Sequence, residues 1–313
     1  MRTVPLGKTG IDVSAFCLGA MFLGTRNDAA SSYRLLDLYV DAGGSFIDTA
    51  NIYAHWVPSF QGGESEALLG AWMAERRNRG QLFIATKVGF EYPGVDRGLT
   101  AAQIEAECDK SLRRLGVDTI DLFYAHVDDR TTPLEESLGA FDRLVSAGKV
   151  RQIGASNFLA WRLAQAHAVS TTHGWPEYCC VQQRYTYLRP RLGTSFDPQL
   201  AVNDDLLGYC RANEVTLLAY SALLAGAYTR ADRPIAEQYL GADADARLAV
   251  LREVAAAHDV TPNQVILAWM VQGDPVVVPV MAAGSEAQMQ ENLAALDLRL
   301  SADEMARLTV AGA

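Results

Sequence analysis

The sequence predicts a (β/α)8 TIM barrel entered through an N-terminal β-hairpin, and three observations carry that prediction. Eight short runs rich in β-branched and aromatic residues recur along the 313 residues, separated by helix-length intervals, as parallel strands joined by crossover helices require. Helix-capping residues punctuate the intervals between them. The length exceeds the usual single-domain size of roughly 100 to 200 residues, yet α/β barrels commonly run longer as one unit. No low-complexity stretch or linker divides the chain, so residues 1–313 are expected to form a single barrel domain.

Taken in order, residues 2–15 alternate around Gly7-Lys8-Thr9-Gly10, which suits a small hairpin ahead of the main fold. The first barrel strand is expected at Phe16–Leu18, ending at Gly19-Ala20-Met21. The others are expected at Phe46–Ala50, Leu82–Lys87, Ile120–His126, Val150–Ser156, Cys180–Tyr185, Thr216–Ser221 and Val276–Val280. Thr100 with Gln103, Thr261 with Gln264 and Ser301 with Glu304 read as capping boxes, and Pro262 stands at a first helical position. After Thr100, apolar Ile104, Cys108, Leu112 and Leu115 share one face before Gly116 ends the helix. The stretch Ala222–Ala246, with Gly226, Pro234 and Gly241, reads as a long loop on the catalytic face, either a flap over a cofactor or an ordered surface loop.

Half the residues are apolar and a fifth are charged, ordinary proportions for a globular protein with a large core. The net charge of −10 gives no electrostatic reason to approach nucleic acid or an anionic bilayer. Five cysteines, odd in number and without a C-x-x-C, indicate neither a disulfide framework nor a zinc site, and are expected as buried thiols in a reducing compartment. The opening M-R-T-V-P-L-G-K-T-G has no apolar signal segment. The longest apolar tract, Val265–Ala283, is interrupted by Gln272-Gly273-Asp274-Pro275 and so reads as helix, turn and strand. A cytoplasmic protein with no membrane partner is expected.

The stretch F-I-D-T-A-N-I-Y, Phe46 to Tyr53, places an acid and a phenol at the C-terminal end of a strand, where barrel enzymes keep their chemistry. Lys87 and His126 end the next two expected strands. Singly, each has an ordinary reading: Asp48 as a turn cap, Lys87 as a snorkelling strand end, Tyr53 or His126 as a satisfied core residue. Their recurrence at consecutive strand ends points to one site. A carbonyl receiving a hydride becomes alkoxide-like and needs a proton and electrostatic stabilisation. A tyrosine, with an ordinary pKa of about 10, keeps its proton at neutral pH, and a nearby ammonium would favour the phenolate that forms.

D-T-A-N-I-Y, I-A-T-K, I-D-L-F-Y-A-H, G-K-V-R-Q-I-G-A-S-N-F, V-Q-Q-R-Y and L-L-A-Y-S-A-L follow one another in the order seen in the aldo-keto reductases. The resemblance runs from the hairpin to E-N-L-A-A-L near the C-terminus. It implies NAD(P)H-dependent reduction of an aldehyde or ketone, with Asp48, Tyr53, Lys87 and His126 matching the family's catalytic four. It also implies Ser156, Asn157 and Gln182 at the nicotinamide carboxamide, Tyr220 stacked on the ring, and Ser221 and Leu223 near the pyrophosphate. Gly19, Ala20, Met21, Asp48, Gly226 and Met281 are expected on the cofactor side as well. Ser285 and Gln288 look like a cap opening a helix, a seat for the adenosine phosphate end, where Gln288, Glu291 and Asn292 would make contact.

Two departures stand out. No Lys or Arg occurs between Glu253 and Leu298, where NADPH-selective members usually hold the 2′-phosphate. NADP(H) is expected on family grounds, with Arg230 or Arg233 as substitute cations and NAD(H) as the alternative. Ala54 stands where a glycine commonly follows the catalytic tyrosine. On the substrate side, Phe22, Trp56, Phe60 and Phe90, with His55, Glu91 and Tyr92 nearby, suit a bulky, aromatic or glycosidic carbonyl or alcohol. A nucleotide-sensing subunit with little turnover is the competing reading. A metal hydrolase is disfavoured by the lack of H-x-H or H-E-x-x-H and by a lysine that would repel a cation.

Overall fold

The computed structural model describes residues 1–312. Strands β1 (Thr3–Pro5) and β2 (Asp12–Ser14) form the expected antiparallel hairpin. Eight parallel strands then close into a barrel: β3 (Cys17–Gly19), β4 (Phe46–Asp48), β5 (Phe83–Val88), β6 (Ile120–Ala125), β7 (Val150–Ser156), β8 (Tyr178–Arg184), β9 (Thr216–Tyr220) and β10 (Val277–Met281). Each pairs with the next, and β10 closes on β3.

The strand positions match the expected ones to within two residues. Two strands shift by that much: β8 starts at Tyr178, which pairs with Ile153 ahead of an irregularity in the ladder, and β4 ends early. Thr49 and Ala50, expected to finish β4, lie past its end.

Helices α1 (Ala29–Asp41), α2 (Glu64–Arg76), α3 (Ala101–Leu115), α4 (Leu134–Ser146), α5 (Ala160–His173) and α6 (Asp204–Asn213) each follow a strand. Helices α7 (Ala244–Ala257) and α8 (Pro262–Gln272) lie between β9 and β10, and α9 (Glu286–Ala294) and α10 (Ala302–Val310) end the fold. The Thr261 and Ser301 capping boxes form as expected. The one at Thr100 does not: its side chain accepts from the Gln103 N–H, but the Gln103 amide turns away to the Asp96 carbonyl. Among the described residues, no helix is long and apolar enough to cross a membrane.

Strand alternation divides the buried apolar residues into two cores. Inside the barrel, Phe46, Phe83, Leu122, Tyr124, Cys180, Leu218 and Val278 meet Leu6 and Val13 of the hairpin. The hairpin thus plugs the end where the strands begin. Gly7 makes this possible, since it turns with φ +53° and a Cβ there would meet the Cys179 carbonyl oxygen at 2.4 Å. Outside, a larger core including Ile47, Trp72, Ile84, Phe123, Phe141 and Leu267 joins the strands to the helices. Polar chemistry is left the other end of the barrel.

The long loop after β9 is fastened. The Tyr228 hydroxyl lies 2.7 Å from Thr186 Oγ1 and accepts the Leu188 N–H at 3.1 Å, while Asn263 donates to Thr229 at 3.1 Å. Tyr239 is buried and lies against Phe196, with ring centroids 5.5 Å apart. These contacts match the ordered-loop reading of 222–246.

Candidate active site

β4 and β5 deliver the two charges. Asp48 and Lys87 both point into the barrel and are buried there, 1% and 0% exposed, and they form a direct ion pair. The Lys87 ammonium also donates to the Thr49 carbonyl at 2.6 Å and to the Tyr53 hydroxyl at 2.9 Å, so its three protons have three acceptors. The second Asp48 oxygen accepts from Gln182 Nε2 at 2.9 Å. Asp48 therefore acts as the lysine's partner and not as a turn cap.

The electrostatics follow from burial. Desolvation disfavours the Lys87 ammonium, but Asp48 and Tyr53 outweigh it and its pKa lies above that of an ordinary lysine. Burial pushes the Tyr53 hydroxyl up, Lys87 pulls it down and Asp48 pushes it up again, leaving it at about 12. Tyr53 thus stays protonated at neutral pH, and because it accepts from Lys87 its own proton remains available to a third group. Burial, and then Lys87, hold His126 well below the usual histidine value, so its imidazole is neutral. Among the described residues its Nδ1 is buried without a partner, and its ring lies edge-on to Tyr53 at 6.0 Å and to Phe90 at 4.7 Å.

The strand-end amides form a separate group. Asn157, at φ +58°, donates through Nδ2 to the His126 carbonyl at 2.9 Å and to Ser156 Oγ at 3.2 Å. Its Oδ1 accepts the Tyr220 hydroxyl at 2.7 Å and the Leu200 N–H at 3.2 Å. Ser156, Asn157 and Tyr220 are therefore brought together, and Asn157 locks the Tyr220 ring. Gln182 points to Asp48 and not to this group. Gln183, which sequence reasoning passed over, accepts the Asn157 N–H at 2.8 Å and donates to the Phe158 carbonyl at 3.0 Å.

On the neighbouring strand ends, Ala20 donates its N–H to the Asp48 carbonyl at 2.8 Å, with Gly19 and Met21 on either side and Met281 on the adjoining strand. After β9, Ser221 has φ +58° and Gly226 φ +90°, and the Leu223 carbonyl accepts the Gly226 N–H at 2.8 Å.

At the start of α9, Ser285 accepts the Gln288 N–H, as its reading as a cap requires. Gln288 accepts the Gly284 N–H at 2.8 Å, Glu291 accepts from Thr261 at 2.7 Å, and Asn292 donates to the Ala282 carbonyl at 3.2 Å. Arg230 is held by Asp232. A cation the sequence reading missed does stand here: Arg34 of α1 meets Glu286, the first residue of α9, at 2.7 Å. Its only sequence signal would have been the packing of the first helix on one near the C-terminus, which spacing does not reveal.

Of the expected substrate wall, Trp56 (43% exposed) lies edge-on to Tyr53 at 6.2 Å, and Phe90 lies on His126. Phe22 sits under the Arg26 guanidinium at 4.1 Å, and Phe60 is half-buried within its own loop. Tyr92, expected with this wall, turns its hydroxyl away to Glu107 at 2.8 Å. Ala54 is buried at φ +80°, the left-handed conformation that favours glycine, and this accounts for a glycine being usual there.

A closed parallel barrel gathers an acid, an ammonium and a phenol at its C-terminal mouth, an arrangement that suits an oxidoreductase acting on carbonyls. The chain belongs to the aldo/keto reductase family, whose model matches residues 15–312. It is 32% identical over 316 residues to norsolorinic acid reductase stcV of Emericella nidulans, covering 95% of this chain and 77% of that one. It is 28% identical to aryl-alcohol dehydrogenase GME11368 of Pestalotiopsis microspora, covering 95% and 78%. The crystal structure of a thermostable aldo-keto reductase, Tm1743, with the inhibitor epalrestat superposes with a TM-score of 0.78 at 30% identity, covering 98% of both chains.

Proposed function

We propose that the whole chain works as one barrel enzyme that reduces an aromatic aldehyde or ketone, with Tyr53 giving the proton to the carbonyl oxygen. The observation that carries this reading is the Lys87 ammonium, which donates to Tyr53 and leaves the phenol its own proton. Bound NAD(P)H supplies the hydride; the residues of this chain bind, orient and protonate. Lys87 stabilises the phenolate as it forms, Asp48 keeps Lys87 charged, and the neutral His126 hydrogen-bonds the substrate oxygen and orients it. Ser156, Asn157 and Tyr220 hold the nicotinamide end, joined by Gln182 once its amide exchanges Asp48 for the carboxamide, and Gln288, Glu291 and Asn292 hold the adenosine end. Contact with the carboxamide requires Asn157 to exchange one of its four present bonds.

NADP(H) is the cofactor we favour. The preference rests on the family, and Arg34, paired with Glu286 at the first turn of α9, would serve the 2′-phosphate by exchanging that carboxylate for it. The aromatic substrate class draws support from Trp56 and Phe90 beside Tyr53 and His126, and from the aryl-alcohol dehydrogenase among the relatives. We place the activity in the cytoplasm, in keeping with five buried free thiols.

The test is Tyr53→Phe, assayed with a benzaldehyde, alongside fluorescence titrations with NADPH and NADH. Turnover is expected to fall roughly a hundred- to ten-thousandfold with NADPH binding nearly intact. Unchanged turnover removes Tyr53 as the acid. Equal or tighter NADH binding overturns the NADP(H) assignment.

A further inference from the structure

A second buried ionic cluster lies behind the site, on the opposite side of the β5 wall. Where Lys87 points inward, its neighbour Thr86 points outward, and Thr86 Oγ1 donates to Glu66 Oε1 of α2 at 2.5 Å. The other Glu66 oxygen accepts from Arg114 of α3 at 2.5 Å. Arg114 also reaches the Tyr92 hydroxyl at 3.3 Å, and Tyr92 donates to Glu107 Oε2 of α3. That same Glu107 oxygen accepts from Asn51 Nδ2 at 2.7 Å, and the other accepts from Lys110 at 2.6 Å. Glu66 and Asn51 are fully buried and Glu107 is 1% exposed. Burial opposes the Glu107 charge, but Lys110, Asn51 and Tyr92 outweigh it and hold the carboxyl below its ordinary pKa.

Stability alone is a poor explanation for such a cluster, because well-packed apolar residues in place of a buried ion pair are often neutral or stabilising. Its geometry offers a better one. The loop 51–63 carries Tyr53 and Trp56, and both of its ends rest on this cluster. At its start, Asn51 gives its side-chain amide to Glu107 and its N–H to the Lys87 carbonyl at 3.4 Å. At its end, Gly62 and Gly63 adopt φ +102° and +92°. A Cβ would lie 3.1 Å from the Tyr92 ring at Gly62 and 2.6 Å from Arg114 Nε at Gly63, so only glycine lets the backbone lie this close. A second loop, 89–100, places Phe90 on His126 and, two residues later, Tyr92 on Glu107. One carboxylate oxygen therefore receives a donor from each of the two loops that flank the cleft.

We infer that Glu107, together with Asn51, Tyr92 and Arg114, is a positioning unit that sets the Tyr53 loop and the Phe90 loop against each other, and so sets the reach of Tyr53 to the substrate oxygen. The inference rests on Tyr53 being the proton donor. Glu107 touches neither substrate nor cofactor and acts through Asn51 and Tyr92. Misplacement of a reacting group by about 1 Å can cost on the order of a hundredfold in rate.

The experiment compares the full-length wild type with Glu107→Leu, Glu107→Gln and Asn51→Ala. It measures kcat for a benzaldehyde at saturating NADPH, the NADPH dissociation constant, and the deuterium isotope effect on kcat with NADPH labelled at the transferred hydrogen. Glu107→Leu strands both donors and is expected to lower kcat about ten- to a hundredfold, raise the isotope effect and leave NADPH binding within about twofold. Glu107→Gln still offers a carbonyl oxygen to Asn51 and Tyr92 and should stay within about threefold of wild type. Asn51→Ala frees one loop only and, should the leucine variant fail to fold, carries the test in the same direction.

A kcat within twofold of wild type in both Glu107→Leu and Asn51→Ala overturns the inference. So does a parallel loss of NADPH affinity, or a glutamine variant as damaged as the leucine one. If the wild type itself reduces no aldehyde, the carbonyl-reductase reading fails instead. The positioning role is then decided by hydrogen exchange: faster exchange over 51–63 and 89–97 in Glu107→Leu supports it, and unchanged exchange overturns it.

Discussion

Strand β5 has a buried ionic cluster on each face, and the two differ in what they leave unused. On the inner face, Lys87 has no exposed surface and donates all three protons, and among the described residues Tyr53 accepts from it without donating to another group, while the nearby His126 Nδ1 has no partner. On the outer face, the carboxylates are buried but their cations reach water, with the Arg114 side chain 22% and the Lys110 side chain 38% exposed, and every Glu66 and Glu107 oxygen is occupied. Among the described residues, Asn51 Oδ1 and, on the same buried stripe of α3, Ser111 Oγ are left without a partner on that face. A site that moves a proton needs a free hydrogen-bonding position in a dry place, whereas a site that sets geometry needs none. On the proposed reading the same residue types serve both ends, separated by the period-2 alternation of a single strand.

The sharpest way to break this division is to remove one cation from each face. Lys87→Met is expected to cut carbonyl turnover roughly a hundred- to ten-thousandfold, because the forming phenolate loses its counter-charge. Arg114→Met leaves the Glu66 carboxylate buried without its cation. It should lower stability by about 3 kcal/mol, while turnover at 25 °C falls only about tenfold. Urea unfolding and steady-state kinetics on both variants decide it. Equal losses of turnover with no change in the Arg114→Met unfolding midpoint would mean the outer cluster belongs to the chemistry.

The two faces were also unequally legible in the sequence. Asp48, Tyr53, Lys87 and His126 could be read because each ends or follows a β-rich run, so barrel topology alone brings them to one mouth. The outer cluster is hidden by helix geometry. Glu107 sits among charges, Glu105, Asp109 and Lys110, and reads as part of a solvated face. Its one signal is that it falls three residues after Ile104, on the stripe that also holds Cys108 and Ser111 and that the structure buries. Glu66, between Ser65 and Leu68, carries the same faint mark. Tyr92 reads as a wall residue because it is a loop aromatic near a cleft, and nothing local announces that its hydroxyl has a partner on α3. The Thr100 capping box had the right spacing, but Gln103 found a competing carbonyl at Asp96.

A smaller effect tests the open side of the inner site. Trp56 is half-exposed and touches Tyr53 only edge-on, so its removal should leave proton transfer alone and remove apolar contact from a large substrate. Trp56→Ala is expected to raise KM about tenfold for a bulky aryl ketone and leave it unchanged for a small aliphatic aldehyde. An equal KM for every active substrate would remove this loop from the substrate wall.

The smallest expected effect concerns His126, and it separates a neutral hydrogen-bonding imidazole from a titrating one. Burial and Lys87 depress its folded pKa well below the ordinary 6.5, so the folded state disfavours the extra proton that the unfolded chain accepts. Its contribution to stability is therefore fully present above pH 6.5 and is lost as the pH falls below that value, at no more than about 1.4 kcal/mol per pH unit. Wild type should lose stability between pH 7 and pH 5, and His126→Gln should lose less over the same range. Reduction should be level from pH 6 to 9, because neither His126 nor Tyr53, at about 12, changes protonation there. A kinetic limb near pH 6.5 that disappears in His126→Gln would mean that the imidazole carries a proton in the working enzyme. The inner face would then hold a second acid beside Tyr53, and the reading of His126 as a neutral orienting group would fail.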